Sequence, residues 1–138
     1  MKAIVLAGGN IEQDSLLSGK IQAEKKSLAL IHGKPMVQWV LNALSEAKTI
    51  DNVIIVGLTE KSGVTCGKPL HFVSNQGKML DNMRAGAELS KKLGKDAKHV
   101  LFVSSDIPSI KPEMVDWVVN KSMESDDDIY YNVIPREV

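Results

Sequence analysis

The chain has 138 residues, 43% of them hydrophobic, and its seventeen lysines and arginines balance seventeen aspartates and glutamates to a formal net charge of zero. That length supports one domain with a sizeable core, and the neutral balance argues against a nucleic-acid partner while leaving room for a small anion held by a local positive field. The single cysteine, Cys66, excludes an intrachain disulfide and a cysteine-rich zinc site, and no apolar run approaches the ~20 residues of a membrane span.

Lys2–Leu6 reads as a buried strand, and Ala7-Gly8-Gly9 directly after it lets the backbone turn sharply and approach a ligand. The sequence enters this strand with no leader-like segment ahead of it, which, with the lone cysteine, sets the expectation of a cytoplasmic protein. Asn10–Ser27 is a long polar connection, beyond the usual loop ceiling of about 12–15 residues, which points to function or mobility. Leu28–Ile31 is a short apolar stretch, extended or turn-like. His32-Gly33-Lys34-Pro35 is a turn, with Pro35 placed to open a helix.

Met36–Ala47 carries Val37, Val40, Leu41, Leu44 and Ala47 at helical spacing and is the clearest helix. Asn52–Gly57 is a second strand, apolar on both faces, and the polar Leu58–Pro69 is broken by Gly63, Gly67 and Pro69. Leu70–Val73 is a third strand, and Asn75-Gln76-Gly77 a loop. Met79–Leu93 is a second long helix with Leu80, Met83, Ala87 and Ser90 on one side and Gly94 as its stop. His99–Ser104 is a fourth strand and Pro112–Met123 a third helix. Asp126-Asp127-Asp128 lies in a solvated turn before a final strand, Ile129–Val133. Trp39 and Trp117, both on helices, read as core or interface residues. Alternating strands and helices predict a three-layer α/β fold with a mostly parallel sheet covered on both faces.

In such a sheet, ligands collect beyond the carboxyl ends of the strands, where Gly8 and Gly9 fall. Their backbone N–H groups can hold phosphate oxygens there, although a purely structural turn is an equal alternative for an isolated glycine pair. The chain has neither the G-x-G-x-x-G nor the G-x-x-x-x-G-K-[ST] pattern, which argues against kinase-like or GTPase-like phosphate handling. Lys20, Lys25, Lys26 and Lys34 follow the glycines. Lys26 stands out because the apolar stretch after it can anchor its backbone while its amine reaches over a ligand. Lys34 sits unfavourably for a helix dipole, which raises the case for a ligand role. Asp106, in Ser104-Ser105-Asp106-Ile107-Pro108, is delivered by its strand to the same edge, where a carboxylate can bind Mg²⁺; the alternative is an aspartate capping the turn before Pro108. Glu12 and Asp14 are weaker candidates in the long connection. Gly77 permits close approach of a flat base that Asn75 and Gln76 can read, and Asn82 can point toward the same ligand; an ordinary loop with a helix cap is equally open. The three histidines show no metal-ligand spacing.

Leu6-Ala7-Gly8-Gly9, then Lys26-Ser-Leu-Ala-Leu-Ile-His-Gly-Lys-Pro-Met36, then Asp106-Ile107-Pro108 resemble the nucleotidyltransferases of the molybdenum-cofactor guanylyltransferase-like group. The wider family includes sugar-phosphate and methylerythritol-phosphate nucleotidylyltransferases. The resemblance implies a Rossmann-like sheet of the nucleotide-diphospho-sugar transferase type. It also implies that residues 1–138 are the N-terminal, nucleotide-binding part of a single domain, since Tyr130–Val138 resembles the middle of a family member. The implied activity is Mg²⁺-dependent transfer of a nucleoside monophosphate from a nucleoside triphosphate to a phosphorylated or alcohol acceptor, releasing pyrophosphate.

By the same resemblance, Gly8 and Gly9 wrap the triphosphate with Ala7 beside the base. Lys26 contacts phosphate and Asp106 holds Mg²⁺; these two are the catalytic candidates. Asn75, Gly77 and Asn82 fall in the region that recognises base and ribose. The implied partners are a nucleoside triphosphate and a small acceptor, with no nucleic acid or membrane and with room for a homodimer. Two departures stand out. The family loop often reads Gly-Gly-x-Gly-x-Arg, whereas Asn10-Ile-Glu-Gln-Asp14 supplies neither the further glycine nor the arginine. The second metal-binding aspartate of the family comes from a later region, outside these residues. These departures favour a rival reading, a non-catalytic nucleotide-sensing domain on the same fold. A sheet domain used mainly for oligomerisation is the third.

Overall fold

The computed structural model describes residues 1–9, 25–94, 98–133 and 136. Most of the expected Asn10–Ser27 connection, with Glu12, Asp14 and Lys20, lies outside the described residues. The element order is β1 (Lys2–Leu6), β2 (Leu30–Ile31), β3 (Lys34–Pro35), α1 (Met36–Glu46), β4 (Asn52–Val56), β5 (Leu70–Val73), α2 (Met79–Lys92), β6 (Val100–Ser104) and α3 (Pro112–Ser122), with single 3₁₀ turns at Lys26–Leu28 and Glu60–Ser62.

β5, β4, β1 and β6 form one four-stranded sheet in that order, with every pairing parallel. The register sets Leu6 beside Val56 on one side and Ser104 on the other, so the strands end together at one edge. From β1 the chain builds outward through β4 to β5, then crosses back to β6 on the far side of β1. The strand order therefore reverses between β1 and β6, which is where an open α/β sheet leaves a crevice.

The runs read as doubly buried strands are so: Ala3, Ile4 and Val5 in β1 and Val53 to Val56 in β4 are wholly inaccessible. On one face Ala3, Val5, Val53 and Ile55 pack with Val37, Val40, Leu41 and Leu44 of α1 and Val115 and Val119 of α3. On the other, Ile4, Ile54 and Val56 lie together, against α2. Each fully buried aliphatic side chain contributes roughly 1.5–3 kcal/mol, so the two central strands, flanked on both faces, anchor the fold. The three-layer α/β prediction is borne out.

α2 does not pack as its apolar residues suggest. Leu80 is 72% exposed, and the buried positions are Asn82, Gly86 and Ser90, spaced four apart along the helix. The reason is closeness: a Cβ on Gly86 would stand 2.6 Å from Ile4 Cγ2, so the helix rests on the sheet through small side chains. Trp117 is also an outward residue, 59% exposed on α3, and not core. Ile129–Val133 forms no strand: Ile129, Tyr131 and Val133 are exposed, and no described strand pairs with the segment. Its composition suits a ladder, but a strand needs a partner to satisfy its backbone.

Leu28–Ile31 divides between the end of a 3₁₀ turn and β2, which pairs antiparallel with β3. His32 at φ +50° and Gly33 at φ +74° make the two-residue hairpin turn, both in the left-handed region that type I′ geometry requires. Lys34 extends over the Trp39 ring, its ammonium 4.1 Å from the centroid, while Trp39 Nε1 donates to Ile31 O at 3.2 Å. A cation–π contact gives Lys34 a structural partner at the helix start. Among the described residues no helix is long and apolar enough to cross a membrane.

Candidate active site

The ladder continues one step past the strands. Ala7 N donates to Val56 O and Gly57 N to Val73 O, each at 2.8 Å. This brings residues 7–9, Gly57 and the loop after β5 side by side at the C-terminal edge. Gly57 has φ +103°, and a Cβ there would lie 2.3 Å from Gly8 Cα. Only glycine fits. The sequence reading missed Gly57, although a glycine ending a doubly buried strand is itself a signal of close backbone approach.

Gly8 is also enclosed by the loop after β5 and by α2. Its carbonyl accepts from Asn75 Nδ2 at 3.3 Å, and a Cβ on it would meet Asn75 Oδ1 and Asn82 Nδ2, each at 2.8 Å. The 3₁₀ turn then folds back on the glycines: Lys26 N donates to Gly9 O at 3.3 Å, and Ser27 Oγ donates to Ala7 O at 3.3 Å. Ser27, which is buried, and the Gly9 carbonyl thus anchor the Lys26 backbone. Among the described residues the N–H groups of Gly8 and Gly9 donate to no protein acceptor. Open N–H groups at the end of a parallel strand suit an anion.

Across the crevice, Lys26 Nζ donates to Asp106 Oδ2 at 3.0 Å, and Ser104 Oγ donates to Asp106 Oδ1. The Ser104 hydroxyl first, then the Lys26 ammonium, hold the Asp106 carboxyl below the usual carboxylate range against a smaller opposing effect of burial. Both side chains remain reachable, at 51% and 39% exposed. Within the loop after β5, Gly77 N donates to Asn75 Oδ1 at 3.1 Å, with Gly77 at φ +88°. Asn82 sits behind this loop, 7% exposed, with Oδ1 accepting from Gln76 N at 2.7 Å and Nδ2 donating to Asn75 Oδ1 at 3.0 Å.

The structure therefore gathers Ala7, Gly8, Gly9, Lys26, Asn75 and Asp106 at one edge, with Gly77 in the adjoining loop. It turns the Asn82 amide into that loop and not into open space. Lys34 lies on the hairpin with Trp39.

The donor set tests the implied Mg²⁺. Among the described residues no group of three or more His, Cys, Asp or Glu side chains is placed to hold a metal ion. Asp106 is a single reachable carboxylate. That does not make an all-protein cage, but it fits Mg²⁺, which is usually held by one or two carboxylates plus water and substrate phosphates.

Comparison with known proteins identifies the family. The sequence model of the MobA-like NTP transferase domain matches residues 3–137. A probable molybdenum cofactor guanylyltransferase of Thermococcus sibiricus is 31% identical over 125 residues, which cover 91% of this chain and 57% of that protein. A 3-deoxy-manno-octulosonate cytidylyltransferase of Zea mays is 27% identical over 112 residues, 80% of this chain and 38% of that one. A solved hypothetical transferase from Thermus thermophilus superimposes with a TM-score of 0.64 at 29% identity, over 88% of this chain and 46% of its own. The chain spans about half the length of the curated relatives it matches.

Proposed function

The chain belongs to the MobA-like NTP transferase domain family, and from that premise we propose that it holds a nucleoside triphosphate over Gly8 and Gly9 and serves nucleotidyl transfer in the whole protein. The observation that carries this reading is the Lys26–Asp106 pair, set across the strand-order switch beside glycine N–H groups that have no described protein acceptor.

The roles follow from the chemistry of each group. The Gly8 and Gly9 N–H groups are fixed dipoles that hold phosphate oxygens without rearranging. Lys26 leaves Asp106 for the phosphates, where its ammonium offsets the charge that accumulates as the phosphoryl bond changes hands. Asp106, kept oriented by Ser104 after Lys26 departs, would hold Mg²⁺, which when bound supplies positive charge to the phosphate oxygens. The acceptor oxygen forms the new bond to the α-phosphorus, the bond from that phosphorus to the bridging oxygen of pyrophosphate breaks, and the acceptor proton is released. The chain contributes position and charge compensation, and the reaction needs no protein nucleophile. The acceptor is a phosphorylated or alcohol compound. The relatives' names include a guanylyl and a cytidylyl transfer, so the base is a matter for titration.

Calorimetric titration of the four common nucleoside triphosphates, with and without Mg²⁺, tests the binding half. At least one should bind with Mg²⁺ present, and none binding would remove the reading. A pyrophosphate-release assay on the whole protein tests the transfer half. Binding without release for any acceptor would favour a nucleotide-sensing domain.

A further inference from the structure

A chain of contacts runs from α2 to the glycine turn. Asn82 is 7% exposed, and both polar atoms of its amide are engaged by the loop of residues 75–77. Asn75 passes the constraint on, accepting from Asn82 and Gly77 through Oδ1 and donating to Gly8 O through Nδ2. Gly57, at the end of β4, abuts Gly8 so closely that no side chain fits between them. Gly8 is therefore clamped by two contacts, a two-amide strut and the backbone against Gly57.

The clamp has a directional consequence. No peptide bond among the described residues is cis. In a trans peptide the carbonyl of one residue and the N–H of the next point in opposite directions. Holding Gly8 O on Asn75 therefore aims the Gly9 N–H away from the loop after β5. β6 and the Lys26–Asp106 pair lie on the other side of β1.

Resting on the nucleotide-binding reading, we propose that Asn82 and Gly57 are positioning residues: they set the Gly8–Gly9 peptide so that its N–H meets the phosphates, and neither touches the nucleotide. Asn82 acts through Asn75, and Gly57 acts through contact with Gly8. This separates Asn82 from a base-reading or ribose-reading role. A direct contact to the nucleoside serves monophosphate and triphosphate alike, whereas an aimed N–H matters in proportion to the phosphate it meets.

The test is calorimetry with Mg²⁺ on the full chain, using the triphosphate that binds best and the monophosphate of the same base. Asn82→Asp keeps the side-chain shape and the acceptor for Gln76 N–H, but replaces the donor to Asn75 with an oxygen. The expected result is triphosphate binding weakened about tenfold, the scale of one hydrogen bond lost from a buried network, with monophosphate binding changed less than about twofold. Gly57→Ala should give the same pattern through a different contact. If one variant fails to fold, the other carries the test, and Asn82→Ser carries it if both fail. Equal loss for both nucleotides would overturn the proposal in favour of direct contact, and no loss for either would overturn it outright. A wild-type chain that binds no triphosphate ends the parent reading and this one together. Wild-type binding with indifferent variants ends this one alone.

Discussion

Lys26 Nζ and Asp106 Oδ2 stand 3.0 Å apart although eighty residues of chain separate them. β1 and β6 are neighbours in the sheet, and the 3₁₀ turn after the glycines hangs Lys26 over the gap between their ends. Both side chains are substantially exposed, so the pair adds little to stability, on the order of 0–1 kcal/mol. On the proposed reading its importance is as a charge arrangement: each ion would occupy the other until a metal-bound polyphosphate separated them.

Asp106→Asn should therefore have opposite effects with and without metal. With Mg²⁺ present, triphosphate affinity should fall about tenfold or more, because the carboxylate that would hold the ion is gone. With a chelator in place of Mg²⁺, affinity should be unchanged or higher, because Lys26 is released. Calorimetry in the two buffers measures both. A loss of the same size in each would argue against a metal role for Asp106. The thermal midpoint should scarcely move.

Gly86→Ala should destabilise the fold. The added methyl would lie 2.6 Å from Ile4 Cγ2 and 3.2 Å from Val56 Cγ2, both in the core beneath α2. Overpacking of this kind costs about 1–3 kcal/mol, while alanine regains up to about 1 kcal/mol of helix propensity. The net expectation is a loss of about 1–2 kcal/mol in urea unfolding with an unchanged slope. A gain in stability would mean that α2 has slack above Ile4.

Asp116 should give the fold a pH dependence. Its Oδ1 accepts from Thr49 N at 2.8 Å and Thr49 Oγ1 at 2.7 Å, and its Oδ2 accepts from Lys48 N at 3.1 Å, tying α3 to the turn after α1. Burial alone would raise its pKa, but the Thr49 hydroxyl and the Thr49 and Lys48 amides outweigh that and hold it below the ordinary carboxylate value. A depressed folded value means that the stabilisation is present above the unfolded value of roughly 4 and is lost as pH falls through the folded one. Asp116→Asn should cost about 1 kcal/mol at neutral pH, and the gap from wild type should close below about pH 4. A gap that persists at low pH would assign the effect to packing.

The framework and both ends of the charged pair were legible in the sequence, for a physical reason. β1 and β4 are buried on both faces and read as unbroken apolar runs, and the residues that follow such strands necessarily reach one edge of a parallel sheet. That logic located Gly8, Gly9 and Asp106. It failed where small or polar side chains make the contact. The helical pattern of Leu80, Met83, Ala87 and Ser90 put Leu80 inward; Ser90 is buried as read, but Leu80 is exposed, and Asn82 and Gly86 share the buried face. Gly57 was passed over because its role lies in a side chain it lacks. Ile129–Val133 has the composition of a strand, but pairing is not a property of the segment alone. The Asn82 amide was read as reaching for a ligand because a single sequence does not reveal that Gln76 and Asn75 engage it first.

Triphosphate binding through Lys26 is tested most directly by the affinity of the Lys26→Ala chain for a nucleoside triphosphate and for the matching monophosphate, each titrated with Mg²⁺. The expected loss for the triphosphate is about tenfold or more, several times the loss for the monophosphate, because the Lys26 ammonium would meet the terminal phosphates. Equal losses for the two, or none, would contradict it.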